Sequence, residues 1–319
     1  MKAMILAAGR GTRVGPLSRL RPKPLFPVLN RSLLGIIIRQ LKRMGAGEVI
    51  INAHHLVEKV EEFVHRGRWG LKVEVRVEPE ILGTGGGIKN CADFLQDAPF
   101  FLVVNADVYH TFDLSPALTY HLEANNLATL VLCDYPRFNQ VGVDGEGRIV
   151  SIRGREVQRP LSLHRILTFT GIHIISSGLF GYTPSDEYFD IIKLYIDLAS
   201  RGEAIRGYQV KGGYWRDIGR VEDYRALHQD LLAEQGKPVI HPTVHLEEDV
   251  QLEGVVCVGR EAHIGPGSLI KDSILWEEVS VQEGSIVEGC VVGDGTQVRG
   301  EHRGEVLTPG REGAYRSER

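Results

Sequence analysis

Residues 2–28 read KAMILAAGRGTRVGPLSRLRPKPLFPV. The first of these, Lys2–Ala7, form a short apolar run of strand character. The run empties into Ala7-Ala8-Gly9-Arg10-Gly11-Thr12-Arg13, a turn built from small residues. Small residues let the backbone approach a ligand closely, and successive N–H groups can cradle phosphate oxygens. Arg13 and Lys23 then add fixed positive charge, which suits a phosphate-bearing ligand. The glycine spacing is G-x-G-x-x-x-G, not the dinucleotide G-x-G-x-x-G. No G-x-x-x-x-G-K-[ST] follows, so a Walker P-loop is excluded.

Working outward, the first two-thirds of the chain alternates strand-like and helical stretches. Glu48–Ala53, Leu71–Val77, Phe100–Val104 and Ala128–Cys133 are rich in Val, Ile, Leu and Phe, as buried strands are. Ser32–Met44 carries apolar residues at 33, 34, 37, 38, 41 and 44, a helical spacing that ends at Gly45. Leu56–His65 repeats that spacing, and Ser115-Pro116 opens a third helix, running to about Asn125. The alternation predicts an α/β fold, with a Rossmann-like, mostly parallel sheet and helices on both faces. Ligands of such sheets gather at the carboxyl ends of the strands.

The pattern changes after Gly236. Ile240, Leu246, Leu252, Val258, Ile264, Ile270 and Trp276 recur every six residues, with small or β-branched residues four positions after most of them. Period six predicts a short hexapeptide-repeat left-handed β-helix, three strands to the coil, with the sixfold residue pointing inward. Beyond Trp276 the register slips, and a skipped residue or loop is expected there. The expected domains are 1–235, 236–302 for the β-helix, and a polar tail at 303–319.

The chain has 319 residues and a net charge of -4, which disfavours a nucleic-acid partner. No apolar run approaches the ~20 residues of a membrane helix, and the start lacks the long apolar segment of a secretory signal. A cytoplasmic location is expected. Cys91, Cys133, Cys257 and Cys290 show no C-x-x-C pairing and read as buried or half-buried thiols.

The segment Leu6–Val28 closely resembles the signature of sugar-1-phosphate nucleotidyltransferases, L-A-[AG]-G-x-G-[TE]-R, then P-L, then P-K-P-L-x-P-V. The resemblance continues over most of residues 1–230. It implies a Mg²⁺-dependent enzyme that joins a nucleoside triphosphate to a sugar 1-phosphate and releases pyrophosphate. It also implies a nucleotide site built from Leu6, Ala7, Ala8, Gly9, Gly11, Thr12, Arg13 and Lys23. Leu82-Gly83-Thr84-Gly85-Gly86-Gly87 resembles the family's L-G-T-[AG]-G, which places Gly85 and Gly86 along the base, with Glu80 facing it. Asn105-Ala106-Asp107 resembles N-[GA]-D, and Trp215-Arg216-Asp217-Ile218-Gly219 resembles W-x-D-[IV]-G. By that likeness Asp107 and Asp217 are the metal ligands, and Arg13, Lys23, Asp107 and Asp217 the catalytic set.

Val141-Gly142-Val143 and Thr170-Gly171-Ile172 resemble the family's sugar-side strands, which puts Gly142 and Gly171 against the sugar. The E-K-P that many members carry between them is missing; the region reads RGREVQRP at 153–160. The PKPL wording with a β-helix is similar to mannose-1-phosphate guanylyltransferases. The T-G-G-G-I run and the missing E-K-P are similar to N-acetylmuramate-1-phosphate uridylyltransferases, so base and sugar stay open. His54-His55 read as a solvated loop. His241, His245 and His263 fall on the β-helix, where acyltransferases place a histidine base, but the repeat is short for such a site. The β-helix reads as an assembly element of a homo-oligomer. A non-catalytic subunit that binds sugar nucleotides is the reading to set against the enzyme, and such a subunit is expected to lose Arg13, Lys23 or an aspartate.

Overall fold

The computed structural model describes residues 1–185 and 187–315. The chain divides into two compact units. The first comprises residues 1–9 and 36–215, the second residues 10–35 and 216–319.

The first unit is built on a ten-stranded sheet. Lys2–Leu6 lies inside it, paired in parallel with Glu48–Ala53 on one side and Phe100–Asn105 on the other. Lys72–Val77 extends the parallel block beyond Glu48–Ala53. All four strands were legible in the sequence; Glu48–Ala53 has the expected ends, and each of the other three differs from expectation by one residue at one end. The twelve-residue strand Arg165–Ser176 runs antiparallel to Phe100–Asn105 and to Ala128–Cys133. Thus the sheet is parallel around its opening strand and antiparallel where this long strand joins it.

The helix Leu33–Arg43 buries Ile37, Ile38 and Leu41, the stripe its spacing predicts. Val57–Arg66 and Ser115–Glu123 follow as expected. At the latter, the carboxylate of Asp113 accepts from the Ser115 amide at 2.9 Å, so the capping oxygen lies two residues before the serine.

In the second unit the repeat forms a β-helix of three parallel ladders. One contains Val239–Ile240, Cys257–Val258, Ile274–Leu275, Val291–Val292 and Val306–Thr308. The second contains His245–Leu246, His263–Ile264, Ser280–Val281 and Gln297–Val298. The third contains Gln251–Glu253, Leu269–Lys271, Ile286–Glu288 and Glu301–Arg303. Val258, Ile264, Ile270, Leu275, Val281, Val287, Val292, Val298 and Leu307 fill the interior.

Two sequence expectations are revised here. The first coil spans 18 residues, from Ile240 to Val258, and the next spans 17, from Val258 to Leu275. One residue is therefore dropped before position 276, and the inward residue is Leu275, not Trp276. Released from the interior, Trp276 is buried against Phe26, with ring centroids 4.7 Å apart, and its Nε1 donates to the Tyr224 hydroxyl at 3.0 Å. Second, strands continue past 303, where a polar tail was expected. Val306 and Leu307 are buried and pair with Val291 and Val292, since Leu307 closes the last coil. The tail's last residues, 316–319, lie outside the described residues.

Candidate functional site

In the first unit the residues expected at the nucleotide end converge on the carboxyl edge of the sheet. Leu6 is level with Asn52 on one neighbour and with Asn105 on the other. The Ala106 amide donates to the Leu6 carbonyl at 3.0 Å, which brings the turn carrying Asp107 beside the start of the glycine-rich turn. Asp107 is half-buried in that turn, between Phe100–Asn105 and Val108–His110. Gly171, at φ 77°, packs on the same turn: a methyl there would lie 2.7 Å from the Asn105 amide nitrogen. Gly142 is not brought to that place. Its ladder partner is Ile166, five residues before Gly171 and about 15 Å up the strand.

Among the described residues, no group accepts from the amides of Ala8 through Arg13. Buried polar groups are nearly always paired, so a run of amides left to solvent directly after a strand is suited to an anionic ligand. The Ala7 amide is different. It donates to Asn52 Oδ1 at 2.8 Å.

Asn52 forms a buried hydrogen-bonded pair with Glu78 that the sequence reading missed. Its Nδ2 donates to Glu78 Oε1 at 2.7 Å, and Glu78 Oε2 accepts from the Leu82 amide at 3.3 Å. Asn52 and Glu78 are 2% and 1% exposed, whereas Glu80, the expected acidic residue, is on the surface. The signal was the position of Asn52 at the end of an otherwise apolar strand. A methyl at Gly87 would come within 2.8 Å of both Asn52 and Glu78, so only glycine lets the helix Gly83–Asn90 approach them. The amides of Gly85 and Gly86 both donate to the Phe189 carbonyl, at 3.0 and 3.3 Å. Those two N–H groups are thereby engaged within the protein.

The second unit holds the other expected residues. Gly11, at φ 65°, precedes a single turn Thr12–Val14, and its α-carbon faces Ser18 and Lys23. The loop thus folds back on Lys23, whose side chain is mostly buried in the turn Lys23–Leu25. Half-buried Asp217 accepts from the Gly219 amide. A methyl on Gly219 would be 3.3 Å from Arg13 Nη1 and 2.5 Å from Asp217 Oδ1, so both side chains lie close to this glycine.

The stretch between Arg13 and Pro27 is fastened to the β-helix. Arg21 donates to both carboxylate oxygens of Asp294, at 2.5 and 2.8 Å, and its Nη2 is 3.0 Å from Glu277 Oε2. Its guanidinium lies over the Trp276 ring, 5.7 Å from the centroid. Phe26 packs edge-on against Tyr224 as well as Trp276, and the Tyr224 hydroxyl donates to the Pro27 carbonyl. The next turn, Leu29-Asn30, has φ of 48° and 62°. There the Leu29 amide donates to His228 Nε2 at 3.4 Å, and Asn30 Nδ2 donates to the Val258 carbonyl at 2.8 Å. His228 Nδ1 is 3.0 Å from the Tyr224 carbonyl. Donation at Nδ1 and acceptance at Nε2 require a neutral ring, and burial pushes its pKa down to about 4.

His54 Nδ1 is held by the Glu78 carbonyl at 2.8 Å, an ordinary loop contact. All four cysteines are buried and free. No helix among the described residues is long and apolar enough to cross a membrane.

Comparison with known proteins accords with this geometry. Over 328 residues, the chain is 28% identical to the UTP--glucose-1-phosphate uridylyltransferase of Synechocystis, covering 92% of this chain and 82% of that protein. It is 28% identical to the mannose-1-phosphate guanylyltransferase of Mycobacterium tuberculosis, covering 90% of this chain and 82% of that one. The crystal structure of HddC from Yersinia pseudotuberculosis superposes with a TM-score of 0.61 at 24% identity, over 74% of this chain and 99% of that one, and shows the same fold. Residues 234–307 match the GMPPB C-terminal domain. Residues 2–234 match the nucleotidyl transferase family, and the chain belongs to that family.

Proposed function

We propose that the chain transfers a nucleotidyl group from a nucleoside triphosphate to a sugar 1-phosphate, with GTP and mannose 1-phosphate as the favoured pair. The observation that carries this reading is the row of unengaged amides from Ala8 to Arg13, beginning where the sheet's inner strand ends. In this reading those amides receive the triphosphate. Arg13 and Lys23 stabilise the charge that passes to pyrophosphate as an oxygen of the sugar phosphate attacks the α-phosphorus. No protein nucleophile takes part, and positioning and electrostatics supply the acceleration.

Asp107 and Asp217 are assigned to Mg²⁺. Asp107 is on a turn and Asp217 ends the strand Trp215–Asp217, and both offer the carboxylate oxygens a hard cation takes. When bound, the ion would offset phosphate charge. Gly171, packed beside the Asp107 turn, is the better supported of the two sugar-side glycines.

The GMPPB-type C-terminal domain and the guanylyltransferase named among the relatives favour guanosine and mannose. The uridylyltransferase among them supports UTP with a glucose-type phosphate as the second reading. A domain division in which the β-helix begins at about residue 236 and runs through its last strand Val306–Thr308, and assembly of copies through the β-helix, belong to the same proposal.

The test is pyrophosphate release in Mg²⁺, crossing five nucleoside triphosphates with a panel of sugar 1-phosphates. Asp107→Ala serves as the blank. One productive pair, silent in the variant, supports the reading and names both substrates. Folded protein that binds nucleotide but turns over no pair would make the chain a non-catalytic subunit.

A further inference from the structure

His245 and His263 project from consecutive coils at the start of the β-helix. Their strands pair in register, residue on residue, so the ladder sets one imidazole over the other. The ring centroids are 5.1 Å apart and the planes differ by 17°. Glu247 is two residues beyond His245 and shares its outward face, while Leu246 between them points the other way. Glu247 Oε1 lies 3.1 Å from His245 Nε2 and 3.7 Å from His263 Nε2. All three donor atoms lie within 4.8 Å of one another.

A tetrahedral ion with bonds of about 2.1 Å holds its donors about 3.4 Å apart. The two carboxylate-to-imidazole separations bracket that value, so small side-chain rotations suffice for ligation. The backbone beneath is already fixed. His245 and Glu247 donate to Ala262 and Ile264 of the next coil, at 2.9 and 3.0 Å, and His263 donates to Val279 at 2.8 Å. The side chains are 67%, 37% and 48% exposed, so an ion reaches them directly from solvent. Further along the same ladder the outward positions are Ser280 and Gln297, and the nitrogen donors end.

We propose that His245, Glu247 and His263 form a binding site for a divalent transition metal of the zinc class. Two imidazole nitrogens with one carboxylate select Zn²⁺, Co²⁺ or Ni²⁺ over Mg²⁺, which takes oxygen donors. The ion would bridge the first coil to the second. That is where the β-helix most needs a staple, because the first coil leaves Ile240 and Leu246 36% and 39% exposed at the open end of the interior.

The test titrates full-length, untagged protein with Co²⁺ in about 5 mM Mg²⁺, which occupies oxygen-donor sites. The visible absorption of the bound cobalt reports nitrogen ligation, and Zn²⁺ then displaces it. The expected result is about one equivalent bound, with a raised thermal midpoint. His245→Ala and His263→Ala should each weaken binding about tenfold or more, Glu247→Gln less, and His241→Ala not at all. All four positions are on the surface or half-buried, so circular dichroism of the variants should match the parent. Absence of cobalt uptake under excess Mg²⁺, or uptake equal in the parent and both histidine variants, would overturn the proposal.

Discussion

Replacing Arg21 by alanine should loosen the segment that carries Lys23. Arg21 makes two bonds to Asp294 and one to Glu277, and its guanidinium lies over Trp276. Charge-assisted hydrogen bonds contribute about 1.5–3 kcal/mol each, which would overcount here if simply added. The side chains of Arg21, Asp294 and Glu277 are 18%, 26% and 31% exposed, between the fully buried and surface cases. Removing one partner of a buried pair costs about 3–5 kcal/mol, and a surface pair is worth about 1 kcal/mol or less. Arg21→Ala should therefore cost about 3 kcal/mol. Asp294→Ala should cost about 2 kcal/mol, including the bond it accepts from the Glu277 amide. Glu277→Ala should cost about 1 kcal/mol, because Arg21 keeps Asp294 and Glu277 is shared with exposed Arg260. Urea unfolding followed by tryptophan fluorescence measures each value, and the Arg21→Ala/Asp294→Ala double-mutant cycle should give a coupling near 1 kcal/mol, the part of the Asp294 cost that does not belong to the Glu277 amide. A coupling within about 0.3 kcal/mol of zero would refute the claim that the β-helix anchors this loop.

Gly171→Ala should destabilise by about 2 kcal/mol or more, since φ is 77° and the new methyl meets the Asn105 side chain; an unchanged urea midpoint would contradict the packing described. Asn52→Leu should cost about 2–4 kcal/mol, because it strands the buried Glu78 carboxylate and the Ala7 amide, and it should weaken nucleotide binding measured by calorimetry. His228 has its pKa lowered by burial to about 4, against 6.5 when unfolded. Between those values the unfolded chain takes a proton that the folded chain refuses, so stability is full above pH 6.5 and falls as pH drops toward 4. The loss attributable to this ring approaches about 3 kcal/mol, and the stability difference between the parent and His228→Leu should narrow across that window. Burial pushes the thiols of Cys91, Cys133 and Cys257 up to about 12, and Cys290 upward as well, so native protein should resist a thiol reagent that titrates all four after denaturation.

Much of this protein is written in local pattern. The strands Lys2–Leu6, Glu48–Ala53 and Phe100–Asn105 are apolar runs because both faces of a parallel sheet are buried. The glycine-rich turn follows from residues adjacent in the chain. The β-helix declares itself by period, since every coil repeats one steric problem. What the sequence could not disclose depends on residues far apart in it. Glu78 rather than Glu80 is the buried acid because Asn52, 26 residues away, supplies its partner. Trp276 leaves the repeat because one residue is dropped before it, and its new neighbours, Phe26 and Tyr224, come from elsewhere in the chain. Arg21 finds Asp294 across 273 residues. His245 and His263 look like isolated surface histidines until the coil length stacks them. Periodicity determines which face of an element is buried, but only closure of the chain decides which side chains share that burial, and with them the anchors of the glycine-rich loop.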